Sequence, residues 1–252
     1  MRTNHQIFLR YFLMLFLSIG IFTAQSLAQE SGQPLSKSNL KIFVQYRLAK
    51  AKLLTNDNIK VDIEGNNIIL SGTVPTLFAK TEAENEARSV DENYLIVNNL
   101  AVENPTVEDS ILSKQVLDKI QANVFYGVFD WITIESNRGV ITLDGWVHLP
   151  WLKDQFQNEV EKISGVKSVV NKIQNTFGPG EIGFRAARLI YNDPMFWGTQ
   201  YSAKPPIHII VNNGKVYLYG TVNSAVQKSW AANIISFRTD AFSVENNIEV
   251  KE

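Results

Sequence analysis

Residues 140–160 read VITLDGWVHLPWLKDQFQNEV, and the pattern changes character halfway along. Val140–Leu143 is a short β-rich run. From Leu152 onward Leu152, Phe156, Val160 and Ile163 recur at the three- and four-residue spacing of one helical face. Gly145 stands between the two. The same strand–glycine–helix order returns as IILSGTVPTLFAKTEAENEA from Ile68 and as VYLYGTVNSAVQKSWAANII from Val216. Gly72, Gly145 and Gly220 are offset by 73 and 75 residues. Upstream, Gly65, Gly139 and Gly214 are offset by 74 and 75; downstream, Asn99-Leu100, Lys172-Ile173 and Asn247-Ile248 by 73 and 75. Three landmarks at one near-constant offset define a threefold internal repeat.

Working outward from the glycine, each copy has the same parts. A helix opens it, carried by Leu40, Phe43, Val44, Leu48 and Ala51 in the first copy and by Leu112, Val116, Ile120 and Val124 in the second. In the third, Phe184, Ala187 and Tyr191 mark its face. Thr106 to Asp109 resembles a capping box at the start of the second copy's helix. Two β-rich runs follow, joined by turns at Gly65-Asn66-Asn67, Asn137-Arg138-Gly139 and Asn212-Asn213-Gly214, residues that tolerate the positive φ of tight hairpins. After the glycine comes a second helix, with Ala83, Phe156 and Ala231 on the face that should cover the sheet. A last β-run closes the copy at Tyr94–Val102, Val166–Gln174 and Phe242–Val250. The fold class is therefore α+β: three tandem αββαβ modules, each a small three-stranded mixed sheet with two helices on one face. Short spacers, Asn104-Pro105 and Gly178-Pro179-Gly180, should make the modules pack rather than tumble separately.

The first 28 residues differ from the rest. Arg2 and Arg10 carry the only formal charges before Glu30, Tyr11–Phe22 is apolar apart from one Ser and one Gly, and Ser26-Leu27-Ala28 has the small-x-small pattern of a signal-peptidase site. A membrane anchor is the alternative, but the run is short of the ~20 residues a crossing needs. Cleavage after Ala28 removes two arginines and no acids, so the net charge of −1 becomes −3. That balance speaks against a nucleic-acid partner, which requires a basic footprint. The chain has no cysteine, hence no disulfides and no lipoprotein attachment site. The expected layout is a signal peptide at 1–28, a flexible segment at 29–39 and modules at 40–104, 105–178 and 179–252.

No arrangement typical of catalysis or metal binding stands out. Beyond His5, the histidines are His148 and His208, far apart and without ligand spacing. There is no Gly-x-Ser-x-Gly and no phosphate-binding loop. The carboxylates of Glu82-Ala83-Glu84-Asn85-Glu86 and Glu159-Val160-Glu161 read as a solvated helix face. The chain is thus read as non-enzymatic, with no cofactor and no metal. Aromatic residues are the more informative feature, since all five tryptophans fall in copies two and three. Tryptophan and tyrosine suit membrane–water interfaces and protein interfaces alike, and they also fill space within or between modules. Trp131 is the first choice for core. Phe196, Trp197 and Tyr201, in a proline-flanked loop, are the candidates for membrane or partner contact, with Trp151 and the basic Arg185, Arg188 and Lys204. Copy three carries seven Lys/Arg against six Asp/Glu, whereas copies one and two each carry seven against nine. The third module is thus the one suited to an anionic surface.

Three sets of residues carry a family resemblance: Leu70-Ser71-Gly72-Thr73-Val74, Leu143-Asp144-Gly145-Trp146-Val147 and Leu218-Tyr219-Gly220-Thr221-Val222. Together with a final Val-x-Asn-x-apolar strand, they resemble BON-domain proteins, similar to the osmotically inducible periplasmic ones. The resemblance implies an αββαβ fold and a periplasmic home. It also implies association with a phospholipid surface or an envelope protein in support of envelope integrity under osmotic or other stress. The chain has three modules where two are commoner, and its third copy has an enlarged loop from Asn192 to Pro206. Gly72, Gly145 and Gly220 are expected to be structural, permitting a tight turn and close helix–sheet approach. The alternative function is an assembly module, self-associating through free strand edges.

Overall fold

The computed structural model of the chain describes residues 36–54, 58–103, 105–199 and 205–251. The expected signal peptide lies outside the described residues, as do Tyr201 and Lys204. Module one contains α1 (Lys37–Lys50), β1 (Ile59–Glu64), β2 (Asn67–Val74), α2 (Leu77–Arg88) and β3 (Leu95–Val102). Module two contains α3 (Asp109–Gln121), β4 (Trp131–Asn137), β5 (Val140–Val147), α4 (Leu152–Glu161), β6 (Ser168–Asn171) and β7 (Gln174–Asn175). Module three contains α5 (Gly180–Tyr191), a 3₁₀ helix (Pro194–Thr199), β8 (Ile207–Asn212), β9 (Lys215–Val222), α6 (Ala225–Arg238), β10 (Ser243–Asn246) and β11 (Glu249–Val250). In each, the hairpin's second strand is central: antiparallel to the first strand and parallel to the last. The last strand is continuous in module one and broken into two short pieces in the other two. The described residues form two compact units, one holding nearly all of module one, the other modules two and three.

Each module has its own core, built from the periodic residues. Leu40, Val44 and Leu48 meet Val61, Leu70 and the small stripe Ala79, Ala83 and Ala87. In module two Leu112, Val116 and Ile120 meet Ile141, Leu143, Phe156 and Val160. Three local readings are corrected. Val124 lies beyond the end of α3 and is exposed. The buried face of α5 is Gly183, Ala186 and Ile190, which leaves Phe184 outside. And Thr106–Asp109 forms no capping box, because α3 begins at Asp109 with no side-chain cap. Asp109 instead crosses to the β4–β5 turn, where its carboxylate accepts from Ser136 Oγ (2.6 Å), Arg138 N (2.8 Å) and Gly139 N (3.2 Å). Those donors, Ser136 foremost, hold its carboxyl below the usual range.

The repeated glycine has a different task from the one expected. It sits inside the central strand rather than in a turn, at φ +123°, +126° and +108° in the three copies. A Cβ there would lie 2.0–2.1 Å from the carbonyl oxygen of Asn58, Trp131 or Pro206, at the entry of the neighbouring strand. The close approach is therefore strand to strand, not helix to sheet. Gly145→Ala should cost about 2–4 kcal/mol, through backbone strain plus a clash with backbone that cannot move aside. Gly127→Ala, where the space is open, should be near neutral. Urea melts of the two variants check this, and equal midpoints would contradict it.

A second repeated residue ties strand to helix. Asn98, Asn171 and Asn246 donate from Nδ2 to the carbonyls of Lys80, Lys153 and Lys228, at 2.9, 3.0 and 2.8 Å. Their Oδ1 atoms accept from the amides of Leu100, Ile173 and Ile248. In modules two and three the amide just before, of Lys172 or Asn247, donates to the central strand. The next amide therefore points away from the sheet, and the asparagine occupies it. Asn171→Ala removes both bonds and leaves the amide of buried Ile173 without its acceptor. We expect a loss of about 2–3 kcal/mol in denaturant unfolding; a loss within experimental error would contradict the clamp.

Candidate contact surface

Two helices on one side of a three-stranded sheet leave the other side bare. Within the second unit, modules two and three set these bare faces against each other. Trp131 of β4 stacks on Tyr219 of β9, with centroids 5.3 Å apart and planes 7° from parallel. Trp146 of β5 lies similarly over Tyr217, at 6.4 Å and 18°. The His208 ring sits 5.1 Å from Trp131 and 5.5 Å from Tyr126. Ile207, His208, Ile209 and Ile210 are consequently all buried, so β8 is covered on both faces. The loop before β4 also covers its free edge: Ile209 N donates to Val128 O at 2.7 Å, and His208 Nδ1 lies 3.1 Å from Gly127 O. Phe184, turned out of its own core, meets Phe129 edge to face at 5.3 Å.

The polar groups of this seam are spent on holding it. Asp130, fully buried, accepts from His148 N (2.9 Å) and Gly127 N (2.9 Å), and its Oδ1 lies 2.8 Å from His148 Nδ1. In module three, Tyr191 OH donates to Ile207 O at 2.5 Å, and burial pushes its phenol up to about 12. Both histidines, unremarkable in the sequence, thus meet at one loop, Gly127–Asp130. Burial lowers the pKa of His208 from about 6.5, against the carbonyls of Gly127, Asp130 and Pro205 and the charge of Asp130. The arrangement is structural; among the described residues no three His, Cys, Asp or Glu side chains are grouped to hold a metal.

The proposed contact residues divide. Phe196 is corrected: it is fully buried in the third core. The 3₁₀ turn explains this, since Phe196 N donates to Asp193 O and Asp193 Oδ1 takes the Met195 amide, which folds the ring inward. Trp197, one residue on, is 56% exposed, with its indole N–H directed to Asn192 O at 3.4 Å. Trp151 is exposed and packs edge to face on Phe125 at 4.9 Å. Arg185 lies between Glu181 (3.4 Å) and Asp240 (3.3 Å), so its charge is shared with two acids. Arg188 is exposed. The sequence reading missed Met195, Val226, Trp230 and Phe237, exposed apolar residues of the same module. Their signal was available: α6 has no acidic residue.

Such a chain is a tandem array of small αββαβ modules whose shared residues build the fold. The BON domain model matches residues 38–104, 108–175 and 199–252, and the chain belongs to that family. The third match begins after α5, although Ala186 and Ile190 of that helix lie in the same core as β8 and β9. No curated protein matches the chain in sequence. Among solved structures it is similar to the C-terminal domain of CdsD, the structural protein of the type III secretion system of Chlamydia trachomatis. That match has 11% identity and a TM-score of 0.26, over 86% of this chain and 100% of that one. A second CdsD structure matches at 12% identity and a TM-score of 0.26, over 83% and 90%.

Folded His208 holds a proton less readily than the unfolded chain does. Unfolding therefore takes up a proton below about pH 6.5, and stability from this group is lost as the pH falls through that region. The urea midpoint of the wild type should drop further between pH 7.5 and pH 5 than that of His208→Gln. Equal drops would remove His208 as the cause.

Proposed function

We propose that this is a non-enzymatic periplasmic protein that binds a phospholipid membrane surface, or an envelope component, and supports envelope integrity under stress. Membership of the BON family supports an envelope-associated, non-catalytic role. The observation that carries the lipid reading is the exposed indole of Trp197 on a short turn of the third module. Tryptophan joins an apolar body to a polar tip and is favoured where a bilayer meets water. That module is also the least acidic of the three copies. The alternative, an assembly module that self-associates through strand edges, has less in its favour. An incoming strand at the last strand would have to displace Asn98, Asn171 or Asn246, and the outer edge of β8 is taken by Val128, which leaves the edges of β1 and β4 to such pairing.

Co-sedimentation of the chain lacking residues 1–28 with vesicles, with and without anionic lipid, tests the proposal. Binding should be measurable and should fall several-fold in Trp197→Ala. No binding to either vesicle overturns the lipid reading, and mass that rises with protein concentration would favour assembly.

A further inference from the structure

The outer face of α6 differs from the same face in the other two copies. Its inner side, Ala231, Ile234 and Ile235, is core. On the opposite side Val226, Trp230, Asn233 and Phe237 follow at four-, three- and four-residue steps, which places them in one stripe. All four are exposed, Val226 at 65% and Phe237 at 84%. The stripe continues onto the 3₁₀ helix. Trp230 Nε1 donates to Asp193 Oδ2 at 3.0 Å and Gln227 Nε2 to Met195 O at 2.9 Å, which brings the exposed Met195 and Trp197 alongside. At the repeat offsets of 75 and 73, the matching residues are Trp151, Gln155, Asn158 and Lys162 in module two and Phe78, Glu82, Asn85 and Ser89 in module one. Copy three has tryptophan where the others have Gln or Glu, and phenylalanine where they have Lys or Ser.

We infer that the outer face of α6, with the adjoining 3₁₀ helix, is the surface that docks on a bilayer, α6 lying flat in the membrane interface. This rests on the lipid reading above and names the element responsible. Three observations select lipid over a protein partner. The stripe is the convex outside of a single helix, with Val226, Trp230 and Phe237 projecting as a bilayer interface accepts them. Asn233, with Ser229 nearby, breaks the apolar row; in a dry protein interface those groups would need dedicated partners, whereas headgroup water supplies them. And α6 itself carries Lys228 and Arg238 with no acid, while the carboxylate of Asp193 beside the stripe is engaged by Trp230 Nε1, so the helix does not repel an anionic surface.

The test uses the chain lacking residues 1–28, with phosphatidylcholine vesicles with and without phosphatidylglycerol, and the double variant Val226→Asp/Phe237→Asp. Both sites are exposed, so circular dichroism should be unchanged, and binding should fall at least tenfold. Val124→Ser, at an exposed site on module two, should bind within about twofold of wild type. Brominated lipid should quench the wild-type emission, and the quenching should shrink in Trp230→Phe and Trp197→Phe, variants that leave the core intact. If the wild type binds no vesicle, the lipid reading itself fails. If it binds and the double variant binds equally, the lipid reading stands and α6 is not the surface. A concentration-dependent dimer abolished by the double variant would overturn the inference in favour of a second copy.

Discussion

A two-layer module of this size cannot cover its own sheet. Both helices lie on one side, so three strands present a bare face whose character must be settled by sequence. The chain settles it in two ways. Module one makes the face polar: Lys60, Asp62, Thr73, Asn99 and Ala101 are exposed there, around half-buried Ile69 and Val97. Modules two and three make it aromatic, and each covers the other through the stacked pairs Trp131–Tyr219 and Trp146–Tyr217. Aromatic pairs of this kind contribute about 0.5–1.5 kcal/mol each beyond the area they bury. The covalent linkage of the two modules lowers the entropic cost of bringing the faces together.

What repeats in the three copies is the part of the fold that has no freedom. The central glycine is required because an adjacent carbonyl occupies the space of any Cβ. The asparagine is required because it spans a helix carbonyl and an outward strand amide at once. Both discourage substitution for reasons of backbone geometry and hydrogen bonding, which is why a signature built on them identifies a fold and leaves the ligand open.

The hairpins and helices were legible in the sequence because their periods are local. Gly65, Gly139 and Gly214, with Arg138 and Asn213, do adopt the positive φ the turns call for. Errors arose where the deciding partner was distant in sequence. Asp109 looks like a helix cap but is captured by a turn about thirty residues away. Phe184 looks like core on the spacing of its own helix, yet Phe129 of the preceding module receives it. The seam between modules was hardest to read, since nothing local to Trp131 indicates that Tyr219 lies opposite. Phe196 and Trp197 show the limit at the candidate surface. They are neighbours of similar chemistry in one short turn, and only the inward direction of that turn separates a core residue from an exposed one.

The same residue types therefore do two jobs in this chain, and position on the module decides which. An aromatic ring on the bare sheet face of module two or three meets a ring on the other module and becomes internal packing. A ring on the outer face of the second helix has its own sheet behind it and solvent in front. Trp230 is fixed there by its bond to Asp193, which keeps the indole directed without burying it. Folding alone gives no reason to place Trp230 and Phe237 in water, where the other copies carry Gln155 or Glu82 and Lys162 or Ser89 at matching positions. An exposed apolar stripe carries a solubility and aggregation cost that a purely structural repeat would avoid. The third module accepts that cost on a face its fold leaves free of other duties.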